Sequence, residues 1–252
     1  DIPLKYIKHA ILAMTTIAVS SSIFADDHSS STPTPIPVEF YSCTYNAGKG
    51  PSDLQPVIKE WKKAMGKREY QSWMLHPIYA SDASMNNSVM FTGWWPSYSQ
   101  MGKEVDYMMD KVSPKLNPMW AEVITCDMHA ETMAMQLRDG MDMDLDSGVM
   151  TYQQCNLKEG KSAADLMQAN AKMGGFMTKA GVSDVSAAVI FPGTGAPDGF
   201  DYVMTFWAPS MTVLGETFEK AMASGIGQVQ RELFADLTEC SNGTRYSGSR
   251  IY

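Results

Sequence analysis

The sequence predicts an α+β fold made of two tandem copies of one unit, and three internal matches predict it. Cys43, Gly48, Lys49, Asp53 and Leu54 recur with the same spacing as Cys155, Gly160, Lys161, Asp165 and Leu166. Trp94, Pro96, Ser97, Met101 and Gly102 recur as Trp207, Pro209, Ser210, Leu214 and Gly215. Ala121, Glu122, Val123 and Cys126 recur as Ala235, Asp236, Leu237 and Cys240. Matches in one order at a nearly constant offset are the mark of an internal repeat.

Each element is justified once and checked against its copy. Residues 38–45 and 148–156 open the copies as strands. Leu54, Val57, Ile58, Trp61 and Met65 then fall at helical spacing, as do Leu166, Ala169, Asn170, Met173 and Met177. Asp53 and Asp165 stand where N-caps are expected, and Pro56 is placed in the first turn. Second strands are expected over 72–79 and 186–191, and third strands over 88–94 and 200–207. Ser97 starts a second helix, with Gln100 placed for a capping box. Its buried stripe is Met101, Val105, Met108, Met109 and Val112, matched by Leu214, Phe218, Ala221 and Met222. Strands over 120–126 and 232–240 close the copies. The order β-α-β-β-α-β is the ferredoxin-like split unit. The copies are expected to span 38–139 and 148–252, joined by an acidic linker at 140–147.

Two such units in tandem resemble the dimeric α/β-barrel superfamily, which includes antibiotic-biosynthesis-type monooxygenases. The resemblance covers most of 38–252 and rests on element order and duplication, with no family-specific catalytic motif. It implies two four-stranded sheets that face each other. The strands agree: Val89-Met90-Phe91 and Val203-Met204-Thr205-Phe206 are apolar on both faces. Two helices cover only one face of a sheet, so the other copy is needed for the second. The expected barrel is a pseudo-dimer complete within one chain. Four cysteines allow three pairings. In the split unit the first and last strands are antiparallel neighbours, which sets Cys43 beside Cys126 and Cys155 beside Cys240.

Residues 1–25 read as an export signal: basic Lys5 and Lys8, an apolar run over 10–19, then small residues ending at Ala25. A Ser/Thr/Pro-rich leader over 26–37 follows and is expected to be disordered. The expected location is therefore the periplasm or the exterior, where an even number of cysteines favours disulfides. Net charge is −8, with no basic stripe for nucleic acid and no pull towards anionic lipid. Neither nucleic acid nor, once the signal is removed, membrane is an expected partner.

Chemistry-bearing motifs are few. His76 precedes Pro77, matching Phe191-Pro192, and reads as a core or pocket-wall residue. His129 matches Gly243, and neither histidine has metal-ligand spacing. The run Asp142, Asp144, Asp146 lacks the glycine and glutamate of a calcium loop and reads as solvated linker. Gly48-Lys49 and Gly160-Lys161 lack phosphate-loop spacing, and no nucleophile elbow is present. Gly193, Gly195 and Gly199 read as turn residues. No cofactor or metal is expected. Trp94 and Trp207 hold matched positions before a helix start and suit a ligand cavity. The expected site thus lies between the sheets, lined by Trp94, Trp207 and His76, and takes a small apolar or aromatic molecule. Two other readings stand beside it: a cofactor-independent monooxygenase-like enzyme, and a structural or interaction protein with a packed barrel.

Overall fold

The computed structural model describes residues 34–138 and 145–252. The expected signal over 1–25 and the linker residues 140–144 lie outside them.

Strand β1, Ile36–Tyr45, already includes the last two positions assigned to the leader. Val38 and Phe40 point to one side of it, Tyr41, Cys43 and Tyr45 to the other, as the period of two requires. Helix α1, Pro51–Met65, buries the expected Leu54, Val57, Ile58, Trp61 and Met65. Its N-cap is Gly50 rather than Asp53. Asp53 lies one turn in, and its carboxylate accepts the Gly50 N–H at 2.9 Å. Pro51 occupies the first turn, where a missing N–H costs nothing, and Pro56 falls inside the helix. Strands β2, Gln71–Tyr79, and β3, Ser88–Trp94, follow. Ser97 caps α2, Tyr98–Tyr107, accepting the Gln100 N–H at 3.2 Å. The Gln100 side chain donates to Glu104 instead of closing a capping box. A π-helical segment, Met108–Val112, carries α2 into α3, Ser113–Val123.

The closing strands differ from expectation. β4 is Ile124–Arg138, later and longer than 120–126, because Trp120 belongs to α3. In the second half β5 is Ser147–Leu157, α4 Ala163–Lys179, β6 Ser186–Pro192 and β7 Tyr202–Ala208. Ser162 caps α4, and Asp165 returns the bond, so it too lies one turn inside the helix. Helices α5, Met211–Ala223, and α6, Ile226–Phe234, precede β8, Thr238–Cys240, and β9, Thr244–Arg250. The single strand expected over 232–240 is thus the end of a helix, a three-residue strand and, after a turn, the strand that does most of the pairing.

The sheet closes on itself. Its order is β1-β3-β2-β9-β5-β7-β6-β4 and back to β1, every pair antiparallel, with β8 extending β5 past the end of β9. The first half runs β4-β1-β3-β2 and the second β9-β5-β7-β6, the same order. The seams are β4–β6 and β2–β9. Both disulfides form as expected, Cys43–Cys126 and Cys155–Cys240, between residues directly opposite in register. No described helix is long and apolar enough to cross a membrane.

Both sheet faces are buried for most of their length. The barrel interior packs Trp73, Leu75, Met150 and Trp207 across the two halves, and Val38, Ala134 and Ile190 beside them. The outer faces pack under the helices, Val89 and Phe91 in the first half, Val189 and Met204 in the second. At about 1.5–3 kcal/mol per buried large side chain, both layers matter to stability. One expected stripe is wrong. On α5, Thr217 and Ala221 face inward, while Phe218 and Met222 are 64% and 53% exposed. On the matching helical run of the first half, Met109 is also exposed.

Candidate functional site

The barrel is not one channel. A cavity of about 680 Å³ opens at one end, walled by Trp94, Trp207, Ala134, Ala188 and Thr205. A smaller one of about 310 Å³, lined by Phe40, Met90, Tyr152 and Tyr246, lies elsewhere in the interior. Fully buried Trp73, Leu75 and Met150 fill the core beside them. Trp207 meets Trp73 edge to face at 4.1 Å. The two tryptophans singled out from the sequence therefore do share a cavity wall. His76 does not join them. It sits on the opposite face of β2 from Trp73 and Leu75, its Nε2 2.7 Å from the Tyr45 hydroxyl. Burial lowers the His76 pKa below its ordinary value and raises that of Tyr45 to about 12.

A more polar arrangement lies outside the barrel, between the first sheet and its helices. Here a cavity of about 560 Å³ is walled by Trp61, Tyr70, Phe91, Leu116 and Trp120. The π-helical segment contributes Met108 and Val112 to its roof. Its polar wall is built on β1 and β4. Glu39 projects to the helix side between Val38 and Phe40, which point into the barrel. It is 5% exposed. Tyr41 donates its hydroxyl to Glu39 Oε1 at 3.0 Å. His129 Nε2 meets the same oxygen at 2.5 Å, and its ring stacks on Tyr41 with centroids 3.9 Å apart. A carboxylate only accepts, so Nε2 is the donor in this contact. Oε2 of Glu39 has no donor among the described residues. Burial, and then the charge of Glu39, pushes both the Tyr41 and the Tyr70 phenols far above their usual range. Both therefore stay neutral donors.

Backbone choices hold this wall in place. Gly93 pairs with Glu39 across β1 and β3. A methyl group there would lie 2.7 Å from the Tyr70 ring, so glycine is what lets Tyr70 reach the cavity. Gly195, at φ +77°, rests on the main chain of His129, where an added Cβ would fall 2.3 Å from the carbonyl oxygen. Sequence reasoning missed Glu39 and Tyr41. A signal existed: one acid interrupts an otherwise apolar strand, on the face that also carries Tyr41, Cys43 and Tyr45. The second half offers no counterpart. Counting from the matched cysteines, Thr151 and Gln153 stand where Glu39 and Tyr41 do. The corresponding sheet–helix cavity holds only about 210 Å³.

No family model matches the sequence, and no curated protein matches it. Solved structures do match the fold. A candidate chlorite dismutase superposes over 87% of this chain and 96% of its own, with a TM-score of 0.54 and 8% identity. A candidate monooxygenase from Fusobacterium nucleatum covers 87% and 94%, with a TM-score of 0.55 and 10% identity. A heme-binding protein from Thermus thermophilus covers 86% and 93% at 9% identity, with a TM-score of only 0.47. The fold is thus shared with the candidate chlorite dismutase and the candidate monooxygenase.

The cysteines and the Nε2 atoms of His76 and His129, which a haem could use as axial ligands, are already engaged in other bonds. Haem iron needs an axial histidine, cysteine, methionine or tyrosinate. All four cysteines are in disulfides. Iron on Nε2 of His129 would displace Glu39, and iron on Nε2 of His76 would displace Tyr45. Among the described residues no three His, Cys, Asp or Glu side chains converge as a metal site.

Proposed function

We propose that this chain is an exported protein that binds a small, largely aromatic molecule against the outer face of its first sheet, beneath α1, α2 and α3. One observation carries the reading. Glu39 is a largely buried residue whose Oε2 receives no bond from a described residue, and it faces a cavity walled in part by Trp61, Tyr70, Phe91 and Trp120. A pocket of this size, largely aromatic with a few convergent polar groups, is the usual form of a small-molecule site. Two disulfides support export, since they persist in oxidising compartments. The shared strand order of the halves, taken with the sequence matches, supports a tandem duplication in which one copy carries the site and the other completes the barrel. The end of the barrel at Trp94 and Trp207 is a second place for the same kind of ligand.

Native mass spectrometry of the exported protein tests this. A retained small molecule is expected. Ala121→Trp, which adds bulk to an exposed residue of the cavity mouth, should abolish retention, and Trp94→Ala should not. The reverse pattern would move the ligand into the barrel. Retention unaffected by either variant would defeat the reading.

A further inference from the structure

We propose that the ligand of the Glu39 cavity carries a primary ammonium group on an aromatic or apolar body; this rests on the site proposed above. Three features of the wall select that chemistry. The first is the geometry at Glu39. Tyr41 and His129 both bond Oε1, leaving Oε2 as a single open acceptor. A carboxylate can receive only a donor, so the incoming atom must bear hydrogen. A guanidinium fork needs both oxygens, and one is already doubly engaged. An ammonium is a point donor and needs one.

The second feature is charge. The cavity is lined by Glu39, Asp127 and His129, with no lysine or arginine. The nearby Arg68 is committed elsewhere, bonded to Glu104 at 2.9 Å and lying 3.3 Å over the Tyr107 ring. An anionic ligand would meet the Glu39 carboxylate with no lysine or arginine in the wall to offset it. A neutral ligand would leave that charge as it is. A cationic ligand compensates it.

The third feature is the aromatic wall. Trp61, Tyr70, Phe91 and Trp120 surround the space above the carboxylate. Ring faces attract cations, tryptophan most strongly. The two tyrosine phenols stay neutral, so they add donors and ring faces without adding charge. Their hydroxyls are also spoken for or buried, so the ligand's donor is directed to Oε2.

The test uses four probes on the full chain, read by calorimetry and by tryptophan fluorescence. They are phenethylammonium, phenylguanidinium, 3-phenylpropan-1-ol and 3-phenylpropionate. Phenethylammonium should bind at least about tenfold tighter than the alcohol, equivalent to about 1.4 kcal/mol. Phenylguanidinium should fall between them, and the propionate should not bind. Glu39→Gln should remove the preference for the ammonium over the alcohol. If that variant does not fold, the ranking on the unaltered protein decides alone. Alcohol binding as tight as ammonium, and blocked by Ala121→Trp, would overturn the amine assignment while leaving the site standing. No binding by any probe would overturn both.

Discussion

Replacing Cys126 by serine should cost about 4–5 kcal/mol of stability. The bridges span sequence separations of 83 and 85 residues. On the chain-entropy account each such loop constrains the unfolded chain by about 4.5 kcal/mol, and the two differ by less than about 0.1 because the dependence is logarithmic. The loops do not overlap, so their contributions should add. Typical domains hold only about 5–15 kcal/mol in total. In each bridge one sulfur is fully buried, Cys43 or Cys155, and its partner is exposed. Cys126→Ser and Cys240→Ser therefore place the new hydroxyl in water, and leave a buried thiol that packs as a small apolar group. Urea denaturation of each single variant should show losses of about 4–5 kcal/mol, equal within error. The slope should increase, since the released chain exposes more surface on unfolding. The double variant should be marginal or unfolded at room temperature. A single-variant loss below about 1 kcal/mol, or a clear inequality between the two, would refute the loop-entropy reasoning.

Three further outcomes follow from the packing and the titrating groups. Gly93→Ala should destabilise by about 1–3 kcal/mol in urea melts, because its Cβ would fall 2.7 Å from Tyr70 and 2.9 Å from Trp95; the same variant should weaken ligand binding by displacing Tyr70. His76 has its pKa lowered by burial, so below the ordinary value of 6.5 the unfolded chain takes up a proton that the folded one resists. Its contribution is complete above that pH and is lost as pH falls through the folded pKa, so His76→Gln should flatten the acid limb of a stability–pH curve. Ser210→Ala should cost about 0.5–2 kcal/mol, since Ser210 accepts the Val213 N–H at 3.2 Å as the cap of α5; an unchanged melt would show that the cap contributes nothing.

The parts of the fold that were legible are those where local chemistry and tertiary environment agree. α1 could be read residue by residue because Leu54, Val57, Ile58, Trp61 and Met65 are apolar and all face one core. The cysteine pairing followed from strand order alone. β4 was misjudged because its sequence, with Met128, Met133, Met135, Ala130, Ala134 and Leu137, favours helix; it is a strand because β1 and β6 flank it. β9 was missed because Thr244–Arg250 buries only Tyr246 and Gly248, too little to register as a hydrophobic pattern. Phe218 and Met222 misled in the other direction, being apolar and exposed. At the site, Trp94 and Trp207 drew notice because they repeat, whereas Glu39, Tyr41 and His129 have no repeat and come together only through register. A pairing across ninety residues of sequence between β1 and β4 is not written in local spacing.

The closure of the barrel has a consequence for the order in which the molecule can become functional as it is made. The first half does not finish its own cavity. Ile251 lines it, and the Tyr252 ring packs against Trp61 and Tyr70. The Tyr252 hydroxyl accepts the Arg68 N–H at 2.7 Å and donates to the Gly66 carbonyl at 2.6 Å. Strand β9, just before these residues, supplies the only neighbour of β2 on that seam. A nascent chain emerging from the ribosome, or threading through an export pore, would therefore pass residue 138 with its carboxylate already on β1 and β4 but without a finished pocket around it. Ligand capture would wait until residues 244–252 had arrived and docked. The first half's cavity is complete only once residues 244–252 have docked against it.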